Sequence, residues 1–429
     1  MRQGLVVLHR YCGLACALFL TVAGLTGAII AWDHEIDAWL NPQFFQAAKS
    51  DATLPPLLLA ERLEAAEPRL RVRYLPLTLE AGEALQLFVE PRTSGAGSGS
   101  GATFDYNQVA IDPATGDVQA RREWGKPTLE RENLLPFLYK LHYSLHLPDA
   151  FGLSLGTLFM GGIAIVWCFD TLLALWISFP SRRNWRQSFA FRWRAGGYRR
   201  QFDLHRSGGV WLFPLLITLA VTSVSMNLRD EVMRPLVSWF SPLTPAPASL
   251  RVPPAITDEP HRDIGMRAVL DIARREALAR GITAPAGGIY HDQQQNVYGV
   301  GFFAAGASHG DGGLGNPWLS FDAASGQFLG ADIPGTGTPG DIFMQAMFPL
   351  HSGRIAGVPG RLLISASGLL IAGLCLTGLV IWAKKRRARH LSGRERASLV
   401  RPLGKPRGAL ARESRCGDPS ESGPPPRRA

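Results

Sequence analysis

Charge, cysteine and nucleotide-binding loops are all scarce in this chain of 429 residues. Charged residues make up 19% of it and apolar residues 46%. That is too little charge for a typical soluble enzyme and too much apolar content for a disordered chain. The five cysteines are scattered: Cys12, Cys16, Cys168 and Cys375 lie in apolar runs and Cys416 lies near the end. Neither a disulfide framework nor a paired-cysteine metal site can be read from them. No glycine-rich dinucleotide motif occurs. A small secreted scaffold, a zinc ribbon and an all-soluble protein are excluded, while the length allows about two to four folded units.

What the chain has instead is four long, almost uncharged runs, at 11–32, 152–179, 208–228 and 362–383, with Asp170 the single acid inside them. Each approaches the roughly 20 residues that span a bilayer core. Pro214 predicts a kink in the third, and Trp32, Trp176, Trp211 and Trp382 sit near run ends, where indoles favour the headgroup level. The segment 181–206 carries eight arginines against one acid, Asp203, and Lys384, Lys385, Arg386, Arg387 and Arg389 follow the fourth run. The segments 35–150 and 227–360 are acidic on balance, with 16 acids against 11 bases and 12 against 9. The positive-inside rule therefore predicts both termini and the arginine-rich linker in the cytoplasm and the two large segments outside. The net charge of +10 is then a membrane-orientation signal, and no nucleic-acid partner is expected. The start resembles a signal peptide, but its run is too long, and an uncleaved anchor is expected.

The predicted division is a first span (1–34), an external domain (35–150), a second span (151–180), a cytoplasmic linker (181–206), a third span (207–228), a second external domain (229–359), a fourth span (360–384) and a disordered cytoplasmic tail (385–429). Local sequences repeat in the same order. Leu8-His9-Arg10 opens the first span and Leu204-His205-Arg206 the third; Leu145-His146 precedes the second and Leu350-His351 the fourth. The turns Asp112-Pro113-Ala114-Thr115-Gly116 and Asp322-Ala323-Ala324-Ser325-Gly326 match as well, each reading as a hairpin. These matches predict two repeated halves of about 200 residues. Each external region reads as α+β. Helices are predicted at 55–66 and 264–280, the latter with Ile264, Ala268, Ile272 and Leu278 on one face. Strands are predicted at 71–77, 85–90, 106–112, 286–290, 297–303 and 319–321. Glycine-rich loops fall at 95–101 and 306–315, with a proline-rich connector at 244–260.

Six of the ten histidines lie near span ends, at two levels: His9 and His205 on the predicted cytoplasmic side, and His34, His142, His146 and His351 outside. A neutral imidazole in a helical bundle suits axial haem ligation, and two per iron suit electron transfer. His9 and His34 are roughly 37 Å apart if helical, too far to share one haem. His142 and His146, four apart, would share a helix face, an arrangement equally open to zinc or copper. The bland alternative for each is a polar anchor at a helix end. Asp170 inside a span points to proton uptake or a hydrogen bond to a ligand.

These residues, with Trp32-Asp33-His34-Glu35-Ile36-Asp37, Asn41-Pro42, Leu141-His142-Tyr143-Ser144-Leu145-His146-Leu147-Pro148, His351-Ser352-Gly353-Arg354-Ile355 and Thr377-Gly378-Leu379-Val380-Ile381-Trp382, resemble the PepSY-associated transmembrane family of bacterial inner-membrane proteins over about residues 5–388. The resemblance implies a membrane α-helical fold, with four spans in two halves and two external PepSY-like α+β domains. Since members include di-haem ferric-siderophore reductases, it also implies an oxidoreductase with two b-type haems, reducing a ferric siderophore or other ferric chelate outside. The electrons would come from a quinol or a cytoplasmic reductant. His9 and His205 would hold the inner haem. His351 with His146, or with His142 or His34, would hold the outer one. Arg10, Arg206 and Arg354 would pair with propionates. The competing expectation is a haem-free, membrane-anchored sensor or assembly module. A transporter is disfavoured by the lack of a polar pathway.

Overall fold

The computed structural model describes residues 2–49, 53–92, 104–251 and 263–399, with side chains described up to 391. The predicted loop at 95–101, His261, most of the proline-rich connector and the tail beyond 399 lie outside the described residues. In chain order the elements are α1 (Arg2–Ile30), α2 (Asp33–Leu40), α3 (Pro42–Phe45), α4 (Pro56–Ala66), β1 (Leu70–Pro76), β2 (Leu85–Pro91), β3 (Gln108–Ile111), β4 (Val118–Arg122), α5 (Leu134–Ser144), α6 (Leu155–Ser178), α7 (Gly197–Asn227), α8 (Arg234–Ser238), α9 (Gly265–Ala279), β5 (Ala286–Asp292), β6 (Val297–Phe302), β7 (Trp318–Asp322), β8 (Phe328–Asp332), α10 (Pro339–Ser352) and α11 (Gly357–Leu399). Residues 1–382 form one compact unit, which is described below.

Four helices are long and apolar enough to cross a membrane: Arg2–Ile30, Leu155–Ser178, Gly197–Asn227 and Arg354–Leu391. They coincide with the four apolar runs, and the chain is a multi-pass membrane protein. Pro214 lies inside α7 without ending it. α1 and α11 cross where glycine meets glycine: a Cβ on Gly24 would come within 2.6 Å of the Gly368 carbonyl oxygen, so only small residues permit this approach. Just beyond it, Trp32 Nε1 donates to Ser365 Oγ (2.9 Å) and Arg361 Nε to the Ala31 carbonyl (2.7 Å). Arg361 also pairs with Glu35 at 2.6 Å and holds that carboxyl below its usual range.

The two large segments between the spans form one sheet. Its eight strands run β4-β3-β2-β1-β5-β6-β7-β8, each antiparallel to its neighbours. The seam is β1 against β5, with Tyr74 opposite Tyr290 and Leu75 opposite Ile289. One continuous core lies under α4 and α9, taking Leu59 and Leu63 from the first and Val269, Leu270, Ala273 and Ala277 from the second. Two separate external domains were expected; edge-to-edge pairing of the two four-stranded pieces gives one shared sheet. The buried face of α9 is also rotated from the expected one, and Leu278 is exposed. Both predicted hairpin turns form: Asp112 Oδ1 accepts from Ala114 N (2.8 Å) and Asp322 Oδ1 from Ser325 N (2.8 Å). Gly116 and Gly326 close them at φ +85° and +73°, the region where glycine carries no Cβ penalty.

A buried ion pair ties the sheet to the bundle. Arg122, from β4, forms two bonds to Asp37 on α2 (2.6 and 3.1 Å), donates to Gln108 Oε1 (2.6 Å) and stacks over Phe44. α2 continues from the end of α1, so this pair fixes the sheet over one end of the spans.

Candidate functional site

At the end of the bundle near the sheet, the His142 and His351 ring centres lie 6.1 Å apart, tilted by 63°. Each sits in the last turn of a short helix outside the spans. α10 is started by a capping box, in which Thr338 accepts from Asp341 N and Asp341 accepts from Thr338 N. α5 ends at Ser144 because Leu145 and His146 both take positive φ (54°). That turn decides which histidine faces the cavity. His146 does not continue the helix face of His142; its ring stacks on Phe137 at 4.6 Å and its Nε2–H donates to the Phe137 carbonyl (2.9 Å). His142 therefore meets His351, and His146, the partner expected first, turns away.

Both rings are held through Nδ1. His142 Nδ1–H donates to the Ala23 carbonyl (2.9 Å) beside Thr26 Oγ1 (3.1 Å), whose own hydroxyl donates to the Val22 carbonyl. His351 Nδ1–H donates to Thr222 Oγ1 (3.0 Å), whose hydroxyl donates to the Thr218 carbonyl. With Nδ1 protonated and fixed, Nε2 carries the lone pair that a metal needs. Burial pushes His142 down to about 4 and His351 down to about 3, so both are neutral near pH 7. They line a cavity of about 460 Å³ walled by α1, α5, α6, α7, α10 and α11.

The second pair lies at the other end of the spans. The His9 and His205 ring centres are also 6.1 Å apart, tilted by 41°. His9 Nδ1–H donates to Asp170 Oδ1 (2.9 Å) and His205 Nδ1–H to the Leu374 carbonyl (3.0 Å). Asp170, the one acid inside the four apolar runs, therefore has His9 as its hydrogen-bond partner. Thr26 and Thr222 lie seventeen residues beyond His9 and His205 on α1 and α7, which separates the two levels by about 25 Å.

A metal held between two imidazole nitrogens at about 2.0 Å each, with each nitrogen roughly 1.1 Å from its ring centre, puts the ring centres about 6 Å apart. Both pairs have that spacing. Each also has a glycine where a side chain would push a ring aside: a Cβ on Gly27 would lie 2.9 Å from His142 Cε1, and one on Gly378 3.0 Å from His205 Cε1. Among the described residues no three His, Cys, Asp or Glu groups gather to hold a bare ion. Two axial ligands suit a macrocycle that supplies the remaining donors. The residues present fit such a group at both levels.

Arg354 is buried, lines the His142–His351 cavity, and pairs with Asp311 (2.9 Å) and Asp33 (3.5 Å). Arg206 donates to the Gln187 carbonyl and approaches Asp203 at 3.9 Å. Arg10 is half-buried. His34 faces neither main pair; it lies against His309 at 6.2 Å. His309, Thr26 and Thr222 were missed from the sequence. The threonines had a usable signal, since they occupy the same offset in each half.

The family described as PepSY-associated TM region has a sequence model that matches residues 6–385, and the chain belongs to that family. No curated protein matches the chain.

Proposed function

From that family membership, we propose that the chain is a di-haem electron-transfer protein of the bacterial inner membrane that reduces ferric siderophores, or other ferric chelates, on the periplasmic side. The observation that carries this reading is the pair of matched imidazole couples, each 6.1 Å between ring centres and each oriented through Nδ1. His9 and His205 would hold one b-type haem, and His142 and His351 the other. Bound haem supplies one-electron cycling between Fe(III) and Fe(II). The chain's own part is to orient four imidazoles through Nδ1, leaving Nε2 to face the iron, and to keep the two pairs apart at two depths. Arg354, already in the cavity wall, is the arginine best placed to meet a propionate, with Arg10 and Arg206 near the inner level.

One electron from a quinol or a cytoplasmic reductant would enter per ferric ion. Reduction to Fe(II) weakens the hard-oxygen chelate and frees the metal. The arginine-rich linker supports placing the inner pair and both termini in the cytoplasm. Like placement of His9 and His205, and of Thr26 and Thr222, supports reading the chain as two repeated halves. A reduced-minus-oxidised spectrum with pyridine haemochrome quantitation tests the function. Two b-type haems per chain are expected, falling to one in His142→Ala and staying at two in His146→Ala. A haem-free preparation made with ample haem supply would overturn the reading and favour a membrane-anchored binding module.

A further inference from the structure

A third histidine pair stands above the outer one, and none of the proposed haem chemistry uses it. His34, in the first turn of α2, and His309, in the glycine-rich loop 306–315, have ring centres 6.2 Å apart, tilted by 68°. We propose that this pair is an open two-imidazole site for a divalent first-row metal, taking the ferrous ion as it leaves the chelate. The inference rests on the reductase reading for the identity of its metal.

The spacing matches that of the other two pairs, but the surroundings differ. Both rings are exposed, so the site is reached from solvent. It is nonetheless held in place. The Gly312 amide donates to the Arg354 carbonyl (2.7 Å), and the Arg354 guanidinium holds Asp311 (2.9 Å). Asn316 Nδ2 ties the loop to itself through the Ala307 carbonyl (2.7 Å). His34 is set by α2 and by edge contact with Phe45 at 5.2 Å. Beside the pair, the enclosed Asp33 Oδ1 has no hydrogen-bond partner among the described residues; its nearest cation is Arg354, at 3.5 Å. Two carboxylates, Asp33 and Asp311, both reach the Arg354 guanidinium and lie beside the pair.

Position gives the pair its use. His309 and Asp33 line the cavity of the outer histidine pair, and they also line a second cavity of about 210 Å³. The walls of the second include Gln86, Gln108 and Arg122 of the sheet. The site therefore lies between the proposed outer haem and the outside. Its ligand type selects the product: imidazole suits divalent iron, whereas hard-oxygen chelators hold the ferric ion. No third His, Cys, Asp or Glu completes the set among the described residues. Water fills the remaining positions, and a two-ligand site retains the ion only briefly.

Equilibrium dialysis with Ni(II), an air-stable ion of the same class, tests the site on the full chain, purified in detergent without a polyhistidine tag. Wild type should bind one more equivalent than His34→Gln or His309→Gln, and the double variant should lose no second equivalent. Loss of affinity by about tenfold or more in each single variant is expected, because one remaining imidazole cannot chelate. The haem spectrum of the same samples, unchanged in the variants, shows that they are folded. The proposal is overturned if wild type binds no such equivalent, or if either single variant keeps it. A haem-free wild type that still shows the histidine-dependent Ni(II) equivalent would leave the site standing and remove the reductase reading.

Discussion

Asp170→Asn is the sharpest test of the inner site, because it changes charge and almost nothing else. The carboxylate is 12% exposed and accepts the His9 Nδ1–H at 2.9 Å. A carboxylate at that nitrogen pushes electron density toward Nε2 and favours the more positive, ferric state of a bound iron. A hydrogen bond to a charged group contributes about 1.5–3 kcal/mol. If about half of this differs between oxidation states, removing the charge raises the midpoint potential by roughly 30–65 mV, taking about 59 mV per tenfold for one electron. The amide oxygen of asparagine can still accept the same hydrogen bond, so the ring keeps its place.

The effect must fall on one centre only. His205, on the other side of the same pair, leans on the neutral Leu374 carbonyl, and His142 and His351 lean on Ala23 and Thr222. A potentiometric titration followed at the haem bands should show one transition moved upward and the other unmoved. Two unmoved transitions, or a downward shift, would refute the reasoning that the Asp170 charge acts on this ring.

Three further perturbations follow from the geometry. Gly27→Val or Gly378→Val places a side chain 2.9 or 3.0 Å from a histidine carbon and should reduce haemochrome content from two to one per chain. Arg122→Ala leaves Asp37 buried without its partner and should destabilise the fold by about 3–5 kcal/mol, read as a lowered Tm; Arg122→Met with Asp37→Leu should recover most of it. His291 is buried against Tyr298, and burial, then the charges of Arg71 and Arg92, push it down to about 3. Asp263, 3.9 Å away, opposes this weakly because it is engaged by Arg71 and Tyr298. The unfolded chain takes up that proton near pH 6.5 and the folded chain does not. Stability is therefore complete above pH 6.5 and falls by up to about 1.4 kcal/mol per unit toward pH 3. His291→Phe should flatten the acid side of a Tm-against-pH curve, and an unchanged slope would show that other groups set it.

The spans were legible because a bilayer demands length and apolarity, which are local properties of sequence. The strands that alternate or run apolar, such as 85–90 and 297–303, were legible for the same reason. β4, Val-Gln-Ala-Arg-Arg, and β8, Phe-Leu-Gly-Ala-Asp, were not, since both are short edge strands without a clear alternating pattern. The seam between β1 and β5 pairs residues more than 200 positions apart, and no local pattern announces it. The choice between His142 and His146 turned on a left-handed turn at Leu145. Leucine rarely takes that conformation, so periodicity carried the helix one residue set too far. His309 lies in the glycine-rich loop 306–315, whose composition says nothing of its place beside His34; that placement appears only in the fold.

All three histidine pairs join the two halves: His9 with His205, His142 with His351, and His34 with His309. Neither half alone holds a complete site, so the seam of the sheet and the α1–α11 crossing set the sites as much as the ligands do. At the end near the sheet, Thr26 and Thr222 occupy similar places beside His142 and His351. At the other end the two rings differ: one has a carboxylate and the other a carbonyl. On the proposed reading that difference has a direction. A carboxylate lowers the inner potential, and the outer centre has none at its Nδ1 atoms. An electron moving from the inner pair to the outer one then moves downhill. On that proposal, the asymmetry between the two pairs would give the electron a direction that two identical sites would not.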